Sequence, residues 1–83
     1  MGGHRREVTG VRYSNCNGHA AAIVAVANYH NGTLYNWTLY WGGAPCYLVE
    51  HAAYEHVAEH GDKMSYENAK HFCPDLPIER YRR

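Results

Sequence analysis

The chain has 83 residues, 46% of them hydrophobic, and its formal net charge is zero when histidine is neutral. A domain of this size buries only about 60% of the surface that its unfolded chain exposes, so we expect a single domain with a small margin of stability. The neutral balance argues against a protein that gains affinity by neutralising many phosphates or an anionic membrane surface.

Hydropathy and cysteine usage indicate the compartment. No apolar run approaches the roughly 20 residues that span a bilayer, and no charged and apolar leader is evident. Cys16, Cys46 and Cys73 are too few and too widely spaced for a disulfide framework, which suits a reducing environment. We therefore expect a cytoplasmic protein that does not interact with membranes.

Two Asn-Gly pairs mark the turns of the predicted sheet. Asn17-Gly18 and Asn31-Gly32 each lie between runs of β-branched and aromatic residues. Asn-Gly tolerates the positive φ angles that both central positions of a two-residue type I′ turn require. The sequence therefore predicts three antiparallel strands joined by two tight hairpins.

Counting outward from each turn predicts the register of the strands. The predicted facing pairs are Cys16 with His19, Tyr13 with Ala22, Arg12 with Ile23, Val11 with Val24, His30 with Thr33, Val26 with Trp37, Val24 with Leu39 and Ile23 with Tyr40. Because side chains alternate across a strand, one face collects most of the large apolar residues and is predicted to be the core. Its members are Val11, Tyr13, Ala22, Val24, Val26, Tyr35, Trp37, Leu39 and Trp41.

The apolar period changes after Trp41 and predicts a helix. Pro45 suits the first turn of a helix that runs to about His60, and Gly61 is its predicted stop. The side of this helix that faces the core is predicted to comprise Cys46, Val49, Ala53, Tyr54 and Val57, with Tyr47 and Ala58 beside them.

A second, shorter helix is predicted after this stop. Ser65 is suited to cap a helix from Tyr66 to about Phe72, and Pro74 ends it. The predicted fold is therefore α+β, with a three-stranded antiparallel meander packed on one face by one long and one short C-terminal helix.

Three segments are predicted along the chain. We expect residues 1–6 to form a flexible arm, since chain ends of this composition seldom pack. Residues 7–74 are predicted to form the α+β domain. Residues 75–83 are predicted to form a basic C-terminal tail.

The sheet face opposite to the predicted core face is the predicted binding surface. Eight tyrosines and two tryptophans exceed what a small core needs, and tyrosine buries surface at low entropic cost. We therefore expect a non-enzymatic module with a protein partner, acting as a regulator or inhibitor, such as a bacterial or phage accessory protein. The same face would also suit a symmetric homodimer. The predicted binding residues are Arg12, Ile23, Tyr29, Asn36, Thr38 and Tyr40.

A sheet-reading DNA-binding domain is an alternative interpretation. The order of Gly10-Val11-Arg12, a hairpin, Trp37-Thr38-Leu39 and an alanine-containing helix resembles plant ethylene-response-factor type domains. The resemblance is one of topology, and it implies recognition of DNA by arginines and tryptophans on the exposed sheet face. That face offers Arg12 here, whereas the tryptophans are predicted to lie in the core, so a protein partner is favoured over nucleic acid.

A small structural-zinc domain is another alternative. Cys16-Asn-Gly-His19 and His71-Phe-Cys73 are two pairs of soft ligands at the short spacing that such sites need. Cys16 and His19 are also predicted cross-strand neighbours, close enough to share an ion. The other interpretation is that the thiols are free and that the protein has no cofactor.

The segment His56-Val-Ala-Glu59-His60 matches the H-x-x-E-H pattern of inverzincin metallohydrolases. On a helix both imidazoles point to the same side. The pattern supplies no third ligand, and so short a chain leaves little room for a substrate cleft, so this interpretation is the least favoured. The sequence shows no phosphate-binding glycine loop, paired acid-base carboxylates or nucleotide fingerprint, and we expect no catalytic residues.

Overall fold

Three long strands form an antiparallel meander, and a short fourth strand extends it. The computed structural model describes residues 3–16, 19–76 and 78, with the backbone alone described at residues 15 and 16. The sheet order is β1-β2-β3-β4. The elements are β1 (His4–Cys16), β2 (His19–His30), β3 (Thr33–Pro45), α1 (Glu50–His60), β4 (Asp62–Met64) and α2 (Tyr66–Phe72). The predicted α+β class, with a meander and two C-terminal helices, is confirmed.

The second hairpin turn is the one that the sequence predicts. Asn31 and Gly32 have φ angles of 54° and 80°, as both central positions of a type I′ turn require. The flanking pair His30 and Thr33 is in the predicted register. The other predicted turn, Asn17-Gly18, lies outside the described residues, although the backbones of Cys16 and His19 on either side of it pair as predicted.

Two register shifts separate the observed pairing from the predicted one. In β1 the pairing passes from Arg12 with Ile23 to Gly10 with Val24, so Val11 is an extra residue. In β3, Leu34 pairs with Tyr29 and Asn36 pairs with the preceding residue Asn28. Tyr35 is therefore the extra residue in β3. The predictions for Arg12 and Tyr13 are confirmed, because these residues precede the first shift as counted from the turn.

The predicted pairs beyond each shift are wrong. Val24 pairs with Gly10 and Tyr40 rather than with Val11 and Leu39. The observed partners of Val26 and Ile23 in β3 are Thr38 and Trp41. Because side chains alternate along a strand, a shift by one residue moves every later side chain to the other face.

Each face of the sheet packs against a different helix. On one face Val57 of α1 lies among side chains of β2, in a cluster that comprises Ala22, Val24, Val26 and Val57, bordered by Val8, Tyr13, Tyr40, Tyr54 and Ala58. On the opposite face Ala69 of α2 belongs to a cluster that comprises Ile23, Ala25, Leu39, Ala69, Leu76 and Ile78, bordered by Val11, Trp37, Met64, Tyr66 and Cys73. The prediction that both helices pack on one face is therefore wrong, and so is the placement of Val11, Trp37 and Leu39 beside Val24.

The first helix begins later than predicted. Pro45 is the last residue of β3, and α1 starts only at Glu50. Cys46, Tyr47 and Val49 all precede the helix, so the prediction that they lie on its core-facing side is wrong. Tyr47 and Val49 are also largely exposed. Within the helix, Ala53 and Val57 are buried as predicted, and Gly61 ends it.

The second helix is confirmed from Tyr66 to Phe72. Its cap is also as predicted, because the Ser65 hydroxyl accepts a hydrogen bond of 3.1 Å from the backbone N–H of Asn68. The preceding strand β4 was not predicted, and it pairs with β3 at Leu39 to Trp41. No helix in the described part of the chain is long and apolar enough to cross a membrane.

The structure also shows how both ends of the described chain pack. His4, within the stretch predicted as an arm, is the first residue of β1 and pairs with His30. Leu76 and Ile78, within the stretch predicted as a tail, are buried in the cluster around Leu39. Both termini of the described chain therefore contribute to the packed structure.

The tyrosine of α1 that borders the sheet should make stability depend on alkaline pH. Burial, the charge of Glu50 and a hydrogen bond to its carboxylate raise the pKa of Tyr54 above the ordinary value of 10.0. The unfolded chain therefore loses this proton first, and the free energy of unfolding should fall as the pH rises through about 10. Denaturant unfolding across that pH range should show a smaller fall for Tyr54→Phe.

The control for this prediction is Tyr47→Phe, because Tyr47 is 84% exposed. It should leave the pH dependence of unfolding as it is in the original protein. An equal alkaline fall in the original protein and in Tyr54→Phe would contradict the assignment to Tyr54.

Candidate functional site

A groove opens on the face of the sheet that carries α2, and its floor is a row of residues across three strands. Arg12 of β1 pairs with Ile23 of β2, which pairs in turn with Trp41 of β3. Cross-strand partners project to the same face, so the three side chains lie side by side. The next row adds Ser14 and Ala21 to the floor.

The wall of this groove comes from β4 and α2. Met64 is the last residue of β4, and Asn68 and Phe72 lie one helical turn apart on the same side of α2. We call the cavity the Trp41–Phe72 groove; its volume is about 410 Å³, within the usual range of ligand pockets. Its lining residues are Arg12, Ser14, Ala21, Ala22, Ile23, Trp41, Gly42, Met64, Asn68 and Phe72.

Two aromatic side chains of the groove are unusually accessible for apolar residues. Trp41 is 50% exposed and Phe72 is 56% exposed, whereas Ile23 between the strands is buried. Apolar surface in water costs about 25 cal/mol for each Å² that binding would remove from it. These two rings are therefore the part of the groove that would gain most from an occupant.

Arg12 is the charged residue of the groove in the described part of the chain. Its Nη1 donates to the backbone carbonyl of Phe72 at 3.4 Å, which holds the guanidinium next to the end of α2. A guanidinium has five N–H donors, and this long bond occupies one of them. Arg12 therefore retains the paired donors that bind a carboxylate in a bidentate manner.

The structure divides the six predicted binding residues between two faces. Arg12 and Ile23 line the Trp41–Phe72 groove. Tyr29 lies further along β2 on the same face, where its hydroxyl donates to Glu7 at 3.3 Å and its ring lies 4.0 Å below the Arg5 guanidinium. Ile23 is buried in the cluster that includes Ala69 of α2. The predicted open binding face around Ile23 is therefore covered by α2.

The other three predicted binding residues lie on the α1 side of the sheet. Tyr40 borders the α1 cluster, and Asn36 and Thr38 accept hydrogen bonds of 2.8 and 3.0 Å from the side-chain amide of Asn28. The extra residue Tyr35 causes this change of face. The predicted surface of six residues is therefore not a single surface in the structure.

The predicted zinc ligands do not assemble in the described part of the chain. His19, His71 and Cys73 form no metal-ligating group of three there, and the side chain of Cys16 lies outside the description. Cys73 instead packs against the core cluster around Leu39. The second candidate pair, His56 and His60, is brought together, with ring centroids 4.7 Å apart.

No protein-family model matches this chain, and no curated protein or solved structure is significantly similar to it. The resemblance to plant DNA-binding domains therefore remains one of element order. The face on which that resemblance depends is packed against α2. The geometry of the Trp41–Phe72 groove is the basis on which function is inferred.

Of the residues that line this groove, sequence reasoning predicted Arg12 and Ile23 as binding residues and missed the others. Trp41 was placed in the core by the uncorrected register, and Met64 belongs to a strand that was not predicted. Asn68 and Phe72 carried a usable signal, because their spacing of four places them on one side of the predicted helix.

Proposed function

We propose that this protein is a small non-enzymatic binding module whose working surface is the Trp41–Phe72 groove. The occupant is a segment of a partner protein that presents an apolar side chain next to a carboxylate. The observation that carries the proposal is the pair of half-exposed aromatic rings beside Arg12 in a single cavity.

The apolar part of the proposal follows from the floor and walls of the groove. Ile23 in the floor and Met64 in the wall are apolar, and the rings of Trp41 and Phe72 are accessible. Tryptophan is over-represented among the residues that dominate binding energy in protein interfaces. A bulky apolar side chain of the partner would remove both rings from water without a large rearrangement of this chain.

The carboxylate follows from the charge of the groove. Arg12 supplies a positive charge, and the described lining residues include no acidic side chain to neutralise it. Asn68 and Ser14 add neutral polar groups nearby. An acidic side chain or a C-terminal carboxylate beside the apolar group would satisfy the guanidinium and fix the orientation of the segment.

Binding is favoured over catalysis by what lines the groove. Ser14 is the hydroxyl there, and the described lining contains no histidine, lysine or carboxylate that would act as its base. An unactivated serine is a weak nucleophile. A small domain that captures an apolar and acidic segment is well suited to act as a regulator or inhibitor of a larger protein.

Selection of random linear peptides on the full chain tests this proposal. We expect the selected peptides to share a large apolar residue next to Asp, Glu or the terminal carboxylate. Trp41→Ala and Arg12→Gln should each raise the Kd of such a peptide at least about tenfold, as loss of a central aromatic or arginine contact does in other interfaces. The matched control is Tyr47→Ala, which removes a more exposed aromatic residue outside the groove and should leave Kd unchanged.

Two results would overturn the proposal. The first is a selected peptide whose affinity falls with Tyr47→Ala and not with Trp41→Ala. The second is a dimer of this chain in sedimentation that Trp41→Ala converts to a monomer, since the groove would then hold a second copy rather than a partner.

Replacing the peptide carboxylate by its amide should weaken binding to the original protein and have little effect on binding to Arg12→Gln.

A further inference from the structure

Two pairs of histidines lie close together in this protein, and they differ in ring orientation. His56 and His60 of α1 have ring centroids 4.7 Å apart and planes tilted by 46°. His4 and His30 at the far end of the sheet have centroids 4.6 Å apart but planes only 13° from parallel. The separations are nearly equal, so the relative tilt decides what each pair is able to bind.

The separation and tilt of the His56 and His60 rings are compatible with a chelate. The nitrogen lone pairs of imidazole lie in the ring plane, and a divalent transition ion lies about 2.0–2.1 Å from the nitrogen and hence about 3.2 Å from the ring centroid. If both rings coordinate one ion, the angle at the ion between the two ring centroids, which are 4.7 Å apart, is roughly 95°. An angle of this size matches neighbouring positions of a tetragonal copper or nickel site.

The stacked pair lacks this geometry. An ion bound well by two imidazoles has to lie in both ring planes, and the nearly parallel planes of this stacked pair, whose centroids are 4.6 Å apart, do not meet near the rings. His4 and His30 also contact Tyr35 edge-on, at centroid distances of 6.2 and 6.5 Å. This cluster is an aromatic contact between strand ends, and it provides the natural contrast to the pair on α1.

The position of His56 and His60 leaves the chelate open to solvent. The His60 side chain is exposed, and its Nε2 lies 3.0 Å from Oε1 of Glu59, whose side chain is more exposed still. An exposed contact of this kind is weak and is readily exchanged for a metal contact. The Glu59 carboxylate adds negative charge next to the His60 imidazole.

The number of ligands distinguishes this site from a structural zinc centre. The described residues contain no group of three or more metal-ligating side chains, whereas structural zinc takes four protein ligands. Two imidazoles with water in the other positions suit an exchangeable ion, and copper is favoured among divalent ions by nitrogen ligands.

We propose that His56 and His60 form an exchangeable surface site for a divalent transition-metal ion, with Cu²⁺ preferred. The site bridges one turn of α1, which packs on the sheet face opposite to that of α2, so it does not depend on the binding function proposed above. Because the folded helix holds the two imidazoles together, bound Cu²⁺ should raise the midpoint of thermal unfolding.

Titration of the full chain with Cu²⁺ tests the site. All variants carry His4→Asn, which removes the imidazole of the stacked pair that lies in β1, and serine in place of the three cysteines, because thiols reduce Cu²⁺ and bind the Cu⁺ that results. We expect one equivalent of Cu²⁺ with nitrogen couplings in its electron paramagnetic resonance spectrum. His56→Asn or His60→Asn should weaken binding at least about tenfold, since each loses the intramolecular advantage of the second ligand.

His51→Asn is the matched control on the same helix. His51 is exposed and lies 3.4 Å from Glu55, but it has no second imidazole one turn away. This variant should bind Cu²⁺ as tightly as the parent, and circular dichroism without metal should show all variants folded. Unchanged affinity in both His56→Asn and His60→Asn would overturn the proposal, and so would an equal loss in His51→Asn.

Discussion

Leu39→Ala should lower the free energy of unfolding by about 2–5 kcal/mol, the usual cost of truncating a large buried aliphatic residue. Leu39 is 6% exposed and packs with Ile23 and Ala69, so its side chain joins β3 to β2 and α2. Its neighbours are held by the sheet and by a helix, which limits their collapse into the cavity. Denaturant unfolding measures the loss as a lower midpoint at an unchanged slope.

Leu34→Ala on the same strand is the matched control. Leu34 is 41% exposed, so the same truncation removes little buried surface there. We expect a cost below about 1 kcal/mol, as for most surface substitutions. Equal costs for the two variants would show that the sheet is not packed against α2 at Leu39.

Gly61→Ala should also destabilise the fold, towards the upper end of the roughly 1–3 kcal/mol that overpacking costs. Gly61 ends α1 with φ −78° and ψ 175°, a conformation that any residue adopts, so backbone freedom is not its purpose. A Cβ there would lie 2.6 Å from the carbonyl oxygens of both Trp41 and Val57. Both obstacles are backbone atoms, and moving them would disturb the end of α1 or its junction with β3.

The control for Gly61→Ala is Gly43→Ala. A Cβ on Gly43 would lie 3.4 Å from the nearest atom, the carbonyl oxygen of Ala20, which is an ordinary contact. We expect a change within about 1 kcal/mol of either sign, because reduced freedom of the unfolded chain offsets small adjustments. Thermal unfolding of Gly61→Ala at the original midpoint would contradict the close approach of α1 to β3.

The features predicted correctly from the sequence are those that depend on nearby residues. The Asn31-Gly32 turn follows from backbone angles that these two residues adopt readily. The second helix follows from a serine cap and a terminating proline, and its predicted start at Tyr66 and end at about Phe72 agree with the structure. Each depends on contacts within a few positions, so the pattern along the chain contains the information.

The register beyond the two extra residues was not predictable in this way. Val11 directly follows Gly10, and a glycine inside a strand is a recognised sign of a bulge, but the residues around Tyr35 carry no comparable sign. The shift in β3 places Asn36 opposite Asn28. The side-chain amide of Asn28 donates hydrogen bonds to Asn36 and to Thr38. Those bonds cross the hairpin between residues 8 and 10 positions apart, and they form only once the register is set.

One signal for the second packed face was present in the sequence. Residues 20–27 of β2 form a continuous run of alanine, isoleucine and valine, without the polar alternation of a strand that has one wet face. Such a run is typical of a strand covered on both sides. It predicts two packed faces, but it does not identify which element covers each face.

The sequence by itself determined the three-stranded meander, the second turn, the presence of two helices and the bounds of α2, because turn preference and the Ser65 cap act over a few residues. Only the tertiary structure decided where the groove lies. Trp41 and Phe72 come together because a register shift turns Trp41 towards α2 and because α2 packs on that face. Packing between distant segments set both conditions, since burial of apolar surface rewards contact wherever along the chain the partners occur.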